Sequence, residues 1–259
     1  MKISSVFLWI CLLFIVFSCT KKPENSVSKI EPKTLLKNFD TWWSYTYDNV
    51  NLSDNFIPLN ADSKVISKEK FLEILASGGY IPVPMTMDDT TLIYKLHQIE
   101  SPEKAQIVSV MQDLAQTELE WYKREGTKIP KFNFTDLNGN IYTNENTKGK
   151  TLVLKCWFIH CMSCVAEIPA LNKMVAEYKN RKDLLFISLA YDSKEQLKGF
   201  LAKKKFDYAV VPVKESFIVE DLKVSAYPTH FIINKEGIIK KIVDRQDHLA
   251  KALIKEIGK

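Results

Sequence analysis

Trp157-Phe-Ile-His160-Cys161-Met-Ser-Cys164 is the stretch that decides how this chain is read. It joins the apolar run Thr151-Leu-Val-Leu-Lys-Cys-Trp157 to a helix-prone one, Val165-Ala-Glu-Ile-Pro-Ala-Leu-Asn-Lys-Met174. Two cysteines separated by two residues at a strand-to-helix junction suit a dithiol that cycles with a disulfide. The spacing puts Cys161 at the helix N-terminus, where unpaired backbone N–H groups and the macrodipole favour a thiolate. The thiolate is the attacking species in disulfide exchange, so this placement makes a nucleophile at neutral pH.

The competing reading of such a pair is half of a structural zinc site, which needs four ligands. The chain has no second Cys-x-x-Cys, and its histidines are His97, His160, His230 and His248. Only His160 adjoins the pair, and it cannot easily join Cys161 on one tetrahedral ion. Strand alternation turns Cys156 away from the side shared by Lys155 and Trp157. No metal site is expected.

With its context, the stretch resembles the thioredoxin-like family, most closely the envelope thiol-disulfide reductases of the ResA and TlpA type. The family pattern, roughly Phe-Trp-x-x-Trp-Cys-x-x-Cys-x-x-Glu-x-Pro, meets Cys156-Trp157-Phe-Ile-His160-Cys161-Met-Ser-Cys164-Val-Ala-Glu167-Ile-Pro169. A second block, Val224-Ser-Ala-Tyr227-Pro228-Thr229-His-Phe231-Ile-Ile-Asn-Lys-Glu-Gly237, matches the family's Pro-Thr segment. The resemblance covers residues 126–259. It implies a thioredoxin-like α/β fold, a mixed central sheet flanked by helices. It also implies a thiol-disulfide oxidoreductase that reduces protein disulfides and needs no bound cofactor beyond the Cys161–Cys164 couple.

Carried over residue by residue, the resemblance makes Cys161 the exposed attacking thiol and Cys164 the resolving one. Pro228 matches the family's cis-proline, which presents the backbone of Tyr227 to an extended substrate, and Trp157 packs beneath the pair. Pro169 matches a helix kink. Three positions depart from the pattern. His160 replaces a tryptophan and, if protonated, would favour the thiolate. Met162-Ser163 replaces the usual dipeptide, which leaves the direction of electron flow open. Lys155 stands where many thioredoxins bury an aspartate. Glu167, one turn after Cys164, is read as the proton acceptor in its place, with Lys155 as its partner. A solvated Glu167 with a snorkelling Lys155 is the alternative.

The N-terminus reads Met1-Lys2, an apolar run from Val6 to Phe17, then Ser18-Cys19-Thr20. That run is too short to span a bilayer, which takes about 20 residues. It describes a secretory signal over 1–18, and Val16-Phe-Ser-Cys19 resembles a lipobox with Cys19 acylated. An uncleaved anchor or a plain secretory peptide is the competing reading. The expected location is the cell envelope, lipid-anchored and facing the periplasm, with a membrane partner supplying electrons. Removing 1–18 takes away only Lys2, so the net charge falls from +5 to +4. No basic stripe or motif suggests nucleic acid.

Residues 19–32 are polar and carry Pro23 and Pro32, as in a tether. Residues 33–125 lean helical and show no catalytic constellation. Leu35, Leu36, Phe39, Trp42 and Trp43 fall at helical spacing, and Ser67 caps Lys68–Ala76. Tyr80-Ile-Pro-Val-Pro-Met85 reads as an extended connection, and Ser101-Pro102 as the start of a helix running to Arg124. After Gly126 come a hairpin near 132–142, strand 151–157 and helix 162–179. Strand 184–190, helix 193–203, a short strand 208–211 and a helical stretch near 216–222 follow. A hairpin of 229–234 with 238–243 and helix 246–257 close the chain.

The alternative function is a thioredoxin-like copper metallochaperone, with His230 as the distal ligand. Its usual cysteine spacing is three, not two. A redox-idle adaptor is disfavoured by the intact cysteine pair and Pro-Thr block. A peroxiredoxin is disfavoured because no Thr-x-x-Cys precedes the helix.

Overall fold

The computed structural model describes residues 27–28, 30–86, 91–100 and 104–258. The expectations for the signal run, for Cys19 and for the Ser101-Pro102 helix start lie outside these residues.

The second half is built on the strand that precedes the cysteines. β7 (Thr151–Trp157) is buried at every position, because both of its faces are covered. It lies at the centre of a five-stranded sheet of order β11-β10-β7-β8-β9, with β8 at Leu184–Ala190, β9 at Ala209–Pro212, β10 at Thr229–Ile233 and β11 at Ile239–Val243. β7, β8 and β9 run parallel, and β10 runs antiparallel to both of its neighbours. Alternation then sorts the side chains. Leu152, Leu154 and Cys156 enter one core, with Phe134, Phe231 and Ile218. Val153 and Trp157 enter the other, with Cys161, Cys164, Leu171 and Leu249.

That second face is covered by α5 (Met162–Ala166), α6 (Ile168–Glu177), α7 (Lys194–Leu201) and α8 (Gln246–Ile257). The expected helix 162–179 is thus two helices broken at Glu167. Pro169 explains the break: it has no N–H to give and its ring clashes with the carbonyl four residues back. The first face carries the hairpin of β5 (Asn133–Thr135) and β6 (Ile141–Thr143), and a π-helical turn at Phe217–Asp221.

The first half is helical in bulk, with α1 (Pro32–Leu35), α2 (Phe39–Asn49), α3 (Lys68–Ala76) and α4 (Ala105–Arg124). Ser67 caps α3 through Lys70 N–H at 3.1 Å, as its sequence suggests. A four-stranded sheet of order β1-β3-β4-β2 accompanies these helices, with β1 at Val27–Ser28, β2 at Ile57–Leu59, β3 at Tyr80–Thr86 and β4 at Leu92–Gln98. The stretch expected as a connection is therefore a strand. Pro82 and Pro84 stand opposite Leu96 and Tyr94 of β4, and β1 lies on the other side of β3 at Met85 and Thr86. Val27 and Ser28, expected within the tether, belong to this sheet.

α4 joins the halves. Ile107, Met111, Ala115 and Leu119 pack in the first core, while Trp121, nearer the end, packs in the second. Gly126, at φ +83°, ends the helix in the left-handed conformation glycine adopts freely, and its N–H donates to Ile239 O. Trp121 carries the packing across the boundary expected at 125/126.

Candidate active site

The loop after β7 places Cys161 as the N-cap of α5. Its Sγ accepts from Cys164 N–H at 3.2 Å, and Ser163 Oγ lies 3.4 Å away. Cys161 and Cys164 form a disulfide with Cα atoms 5.2 Å apart. Cys161 keeps 7% of its surface and Cys164 none. The exposure expected of Cys161 is therefore narrow, because Trp157, Phe158 and Ile159 pack in the same cluster, but the order of access is as expected. Cys156 lies on the opposite face, where burial pushes its thiol up to about 12.

Trp157 lies under the pair, against Phe200 at 5.4 Å and Phe206 at 5.7 Å. His160 is exposed beside Cys161, and Met162 keeps 87% of its surface. Facing the cysteines, Tyr227-Pro228 is a cis peptide. Tyr227 stands edge-on to Phe158 at 5.3 Å, and Tyr191 stacks on Phe158 at 5.1 Å. This aromatic trio holds the cis-proline loop against the cysteine loop. Phe158 and Tyr191 carry no motif that marks them in the sequence.

Beneath α5 the sheet carries a row of buried polar side chains. Sheet register sets His230 of β10 and Ser188 of β8 on either side of Lys155. All three have no exposed surface. The break at Glu167 turns its carboxylate onto this row. Oε1 takes an ion pair from Lys155 Nζ, and His230 Nε2 lies 3.0 Å from the same oxygen, off hydrogen-bond geometry. Glu167 is only 9% exposed, so the solvated alternative and the snorkelling lysine do not hold. Burial alone would raise the Glu167 pKa, but His230 and Lys155 outweigh it and hold the carboxyl below its usual range. Burial lowers His230 and Lys155, against the pull of Glu167. Tyr208, raised by burial and by the charge of Glu167, completes the surroundings; its hydroxyl has no hydrogen-bond partner, and neither has His230 Nδ1 or Ser188 Oγ.

His230 is the site residue whose place the sequence motif does not reveal. Its signal is the alternation that sets the residue after Thr229 on the Lys155 side of the sheet, which becomes visible once the two strands are paired.

Residues 125–242 match the AhpC/TSA family. The thiol-disulfide oxidoreductase ResA of a Bacillus cereus strain is 32% identical over 123 residues, which cover 47% of this chain and 70% of that protein. The chain belongs to the thioredoxin-like thiol-disulfide oxidoreductases. The thioredoxin-like protein YneN of Bacillus subtilis (strain 168) is 28% identical over 121 residues, 46% of this chain and 71% of that protein. The solution structure of a thiol:disulfide interchange protein from Bacteroides sp. is 24% identical, covers 52% of this chain and 91% of its own, and superposes with a TM-score of 0.47. The residues matched by the family, 125–242, hold Cys161 and Cys164 of this oxidoreductase.

Proposed function

We propose that this oxidoreductase works as a disulfide reductase in the cell envelope, tethered by lipid at Cys19 and acting on protein disulfides. The observation that carries the reading is the Cys161–Cys164 disulfide, N-capping a helix over a buried, ion-paired Glu167.

In the dithiol form, Cys164 N–H stabilises a Cys161 thiolate as it now contacts Sγ. The thiolate attacks one sulfur of the substrate disulfide, forming a mixed disulfide and expelling the other sulfur as a thiolate, which takes a proton from water. Cys164 then gives its proton to Glu167 and attacks Cys161 Sγ. The Cys161–Cys164 bond forms, the mixed disulfide breaks, and the second substrate thiolate leaves. Two electrons have passed to the substrate.

A protonated Glu167 leaves the buried Lys155 cation unpaired, which is costly. Glu167, 9% exposed, therefore gives the proton up to solvent, while neutral His230 lies 3.0 Å from the same oxygen. A membrane partner then returns two electrons and two protons, and no resident cofactor is needed. Apocytochrome c disulfides and a wider set of envelope proteins both fit such a substrate.

The copper-carrier alternative needs His230 as a distal ligand, but His230 is wholly buried with Nε2 against Glu167. The reduction potential of the Cys161–Cys164 couple tests the reading. A value near about −270 mV fits a reductant, and one near about −120 mV marks an oxidant.

A further inference from the structure

The cleft beside the disulfide is not made by the oxidoreductase half alone. It has a volume of about 710 Å³ and is lined by Ser163, Glu167, Tyr227, Pro228 and Arg245, and by Tyr47 from the end of α2. Ser163, between the two cysteines in sequence, and the cis Pro228 bring the cleft next to the disulfide loop. Among the described residues lining it, Tyr47 alone comes from the first half.

Tyr47 is fixed in place. The Arg245 guanidinium lies 4.0 Å from its ring centroid, and Arg245 Nη1 donates to Tyr47 O. The remaining fork of Arg245 is held by Asp247, at 2.9 and 3.1 Å. Arg245 therefore has no free pair of donors for an anion, and its use is to hold the tyrosine. Despite these contacts Tyr47 keeps 52% of its surface. Trp43, one helical turn earlier and 6.2 Å from the Tyr47 ring, keeps 37%. A second cavity of about 200 Å³ continues past Ala226 to Trp43. The result is an aromatic strip that begins at the disulfide cleft and leads away from it. Isolated exposed apolar residues are ordinary. Two held aromatics bordering the cleft that Ser163 and Pro228 also line form a surface of the kind that anchors polypeptides.

We propose that the helical first half selects the substrate: Tyr47, with Trp43 behind it, receives an apolar side chain of an extended polypeptide segment next to the target cysteine. The segment's backbone runs along Ala226–Tyr227, which lie outside the sheet ladder. This rests on the disulfide-reductase reading. Oxidised glutathione carries no apolar side chain to place against Tyr47 and gains nothing from it.

The test uses the full chain, reduced in advance, and follows its oxidation by two probes. One is a peptide disulfide with leucines flanking the cysteine, and the other is oxidised glutathione. Tyr47→Ala lowers the ratio of peptide rate to glutathione rate about tenfold, equivalent to about 1.4 kcal/mol. Tyr47→Phe, which keeps the ring, restores the ratio. An unchanged ratio in Tyr47→Ala, or an equal fall in Tyr47→Phe, overturns the proposal while the reductase reading stands. If the unaltered chain reacts with neither probe, the reductase reading falls and this proposal falls with it.

Discussion

The two halves of this chain solve the packing problem in similar ways and differ in what they bury. Each sets helices on a sheet and closes an apolar core, around Phe71, Leu75 and Tyr94 in the first and around Leu154 and Trp157 in the second. Only the second places polar side chains with no exposed surface in the middle of its sheet: Lys155, Ser188, Thr229 and His230. Among the described residues of the first half, the buried polar ones are Thr46 and Ser53, and its ionisable pair Lys68 and Glu118 keeps part of its surface. Packing an ionic group beneath a helix opposes stability unless its partners are in place. The contrast teaches that buried charge locates the chemistry where apolar packing does not.

The largest effect belongs to the cysteine pair. Cys161→Ser abolishes reduction of insulin disulfide, followed as turbidity, whereas changes to the aromatic strip of the first half alter substrate preference and leave turnover of small disulfides measurable. Persisting insulin reduction in Cys161→Ser would place the nucleophile elsewhere.

The next effect sharpens the contrast in buried charge. Glu167→Gln leaves Lys155 unpaired and Lys155→Met leaves Glu167 with His230 alone. Each costs about 3 kcal/mol of stability in urea denaturation. Glu167→Gln also slows the step that resolves the mixed disulfide by about 10²-fold, as loss of a positioned base does. The double change Lys155→Met with Glu167→Gln costs less than the two single changes together. Strictly additive losses would separate the two residues.

His230 supplies a pH signature of its own at the site. Its folded pKa lies below the unfolded value of about 6.5, so the unfolded chain binds the extra proton. Stability from this group is present above about pH 6.5 and is lost as pH falls toward the depressed folded value, with a slope of at most about 1.4 kcal/mol per pH unit. Glu167, depressed below its unfolded value, adds stability that is lost only at lower pH, as the solution passes through its folded pKa. His230→Gln should flatten the curve between about pH 7.5 and 5.5 while leaving the lower limb. A curve of unchanged shape there would contradict the burial of a neutral imidazole.

The smallest effect lies where the halves meet. Lys241 of β11 binds Glu125 at 2.7 Å and Ser53 O at 2.8 Å, joining the two sheets' surroundings. Lys241→Ala costs about 1.5 kcal/mol, as loss of hydrogen bonds from a charged donor does. Hydrogen exchange in α2 and β2 rises more than in β7. Equal rises in both halves would mean that the contact does not couple them.

Much of the second half is legible in the sequence. The apolar runs at 151–157 and 184–190 and the periodic stretch at 246–257 coincide with β7, β8 and α8. Turn residues and hydrophobic period decide those bounds locally. The site is legible as far as its motifs reach: Cys161, Cys164 and Glu167 stand out by spacing and Pro228 by resemblance alone, and the fold sets them near one another. The burial of Glu167 and the place of His230 are not, because both depend on the register between β7 and β10, a long-range property. The first half hides its sheet for a related reason. Pro82 and Pro84 argue against a strand, and the pairing of β3 with β4 that overrides them is a long-range property.

The account rests on Cys161 attacking and Cys164 resolving, and trapping tests this most directly. The full chain carrying Cys164→Ser is reduced, mixed with insulin, acid-quenched and mapped by peptide mass spectrometry. The account predicts a stable mixed disulfide on Cys161 and none on Cys156. An adduct on Cys156, or no adduct while Cys161→Ser accumulates one on Cys164, would contradict it.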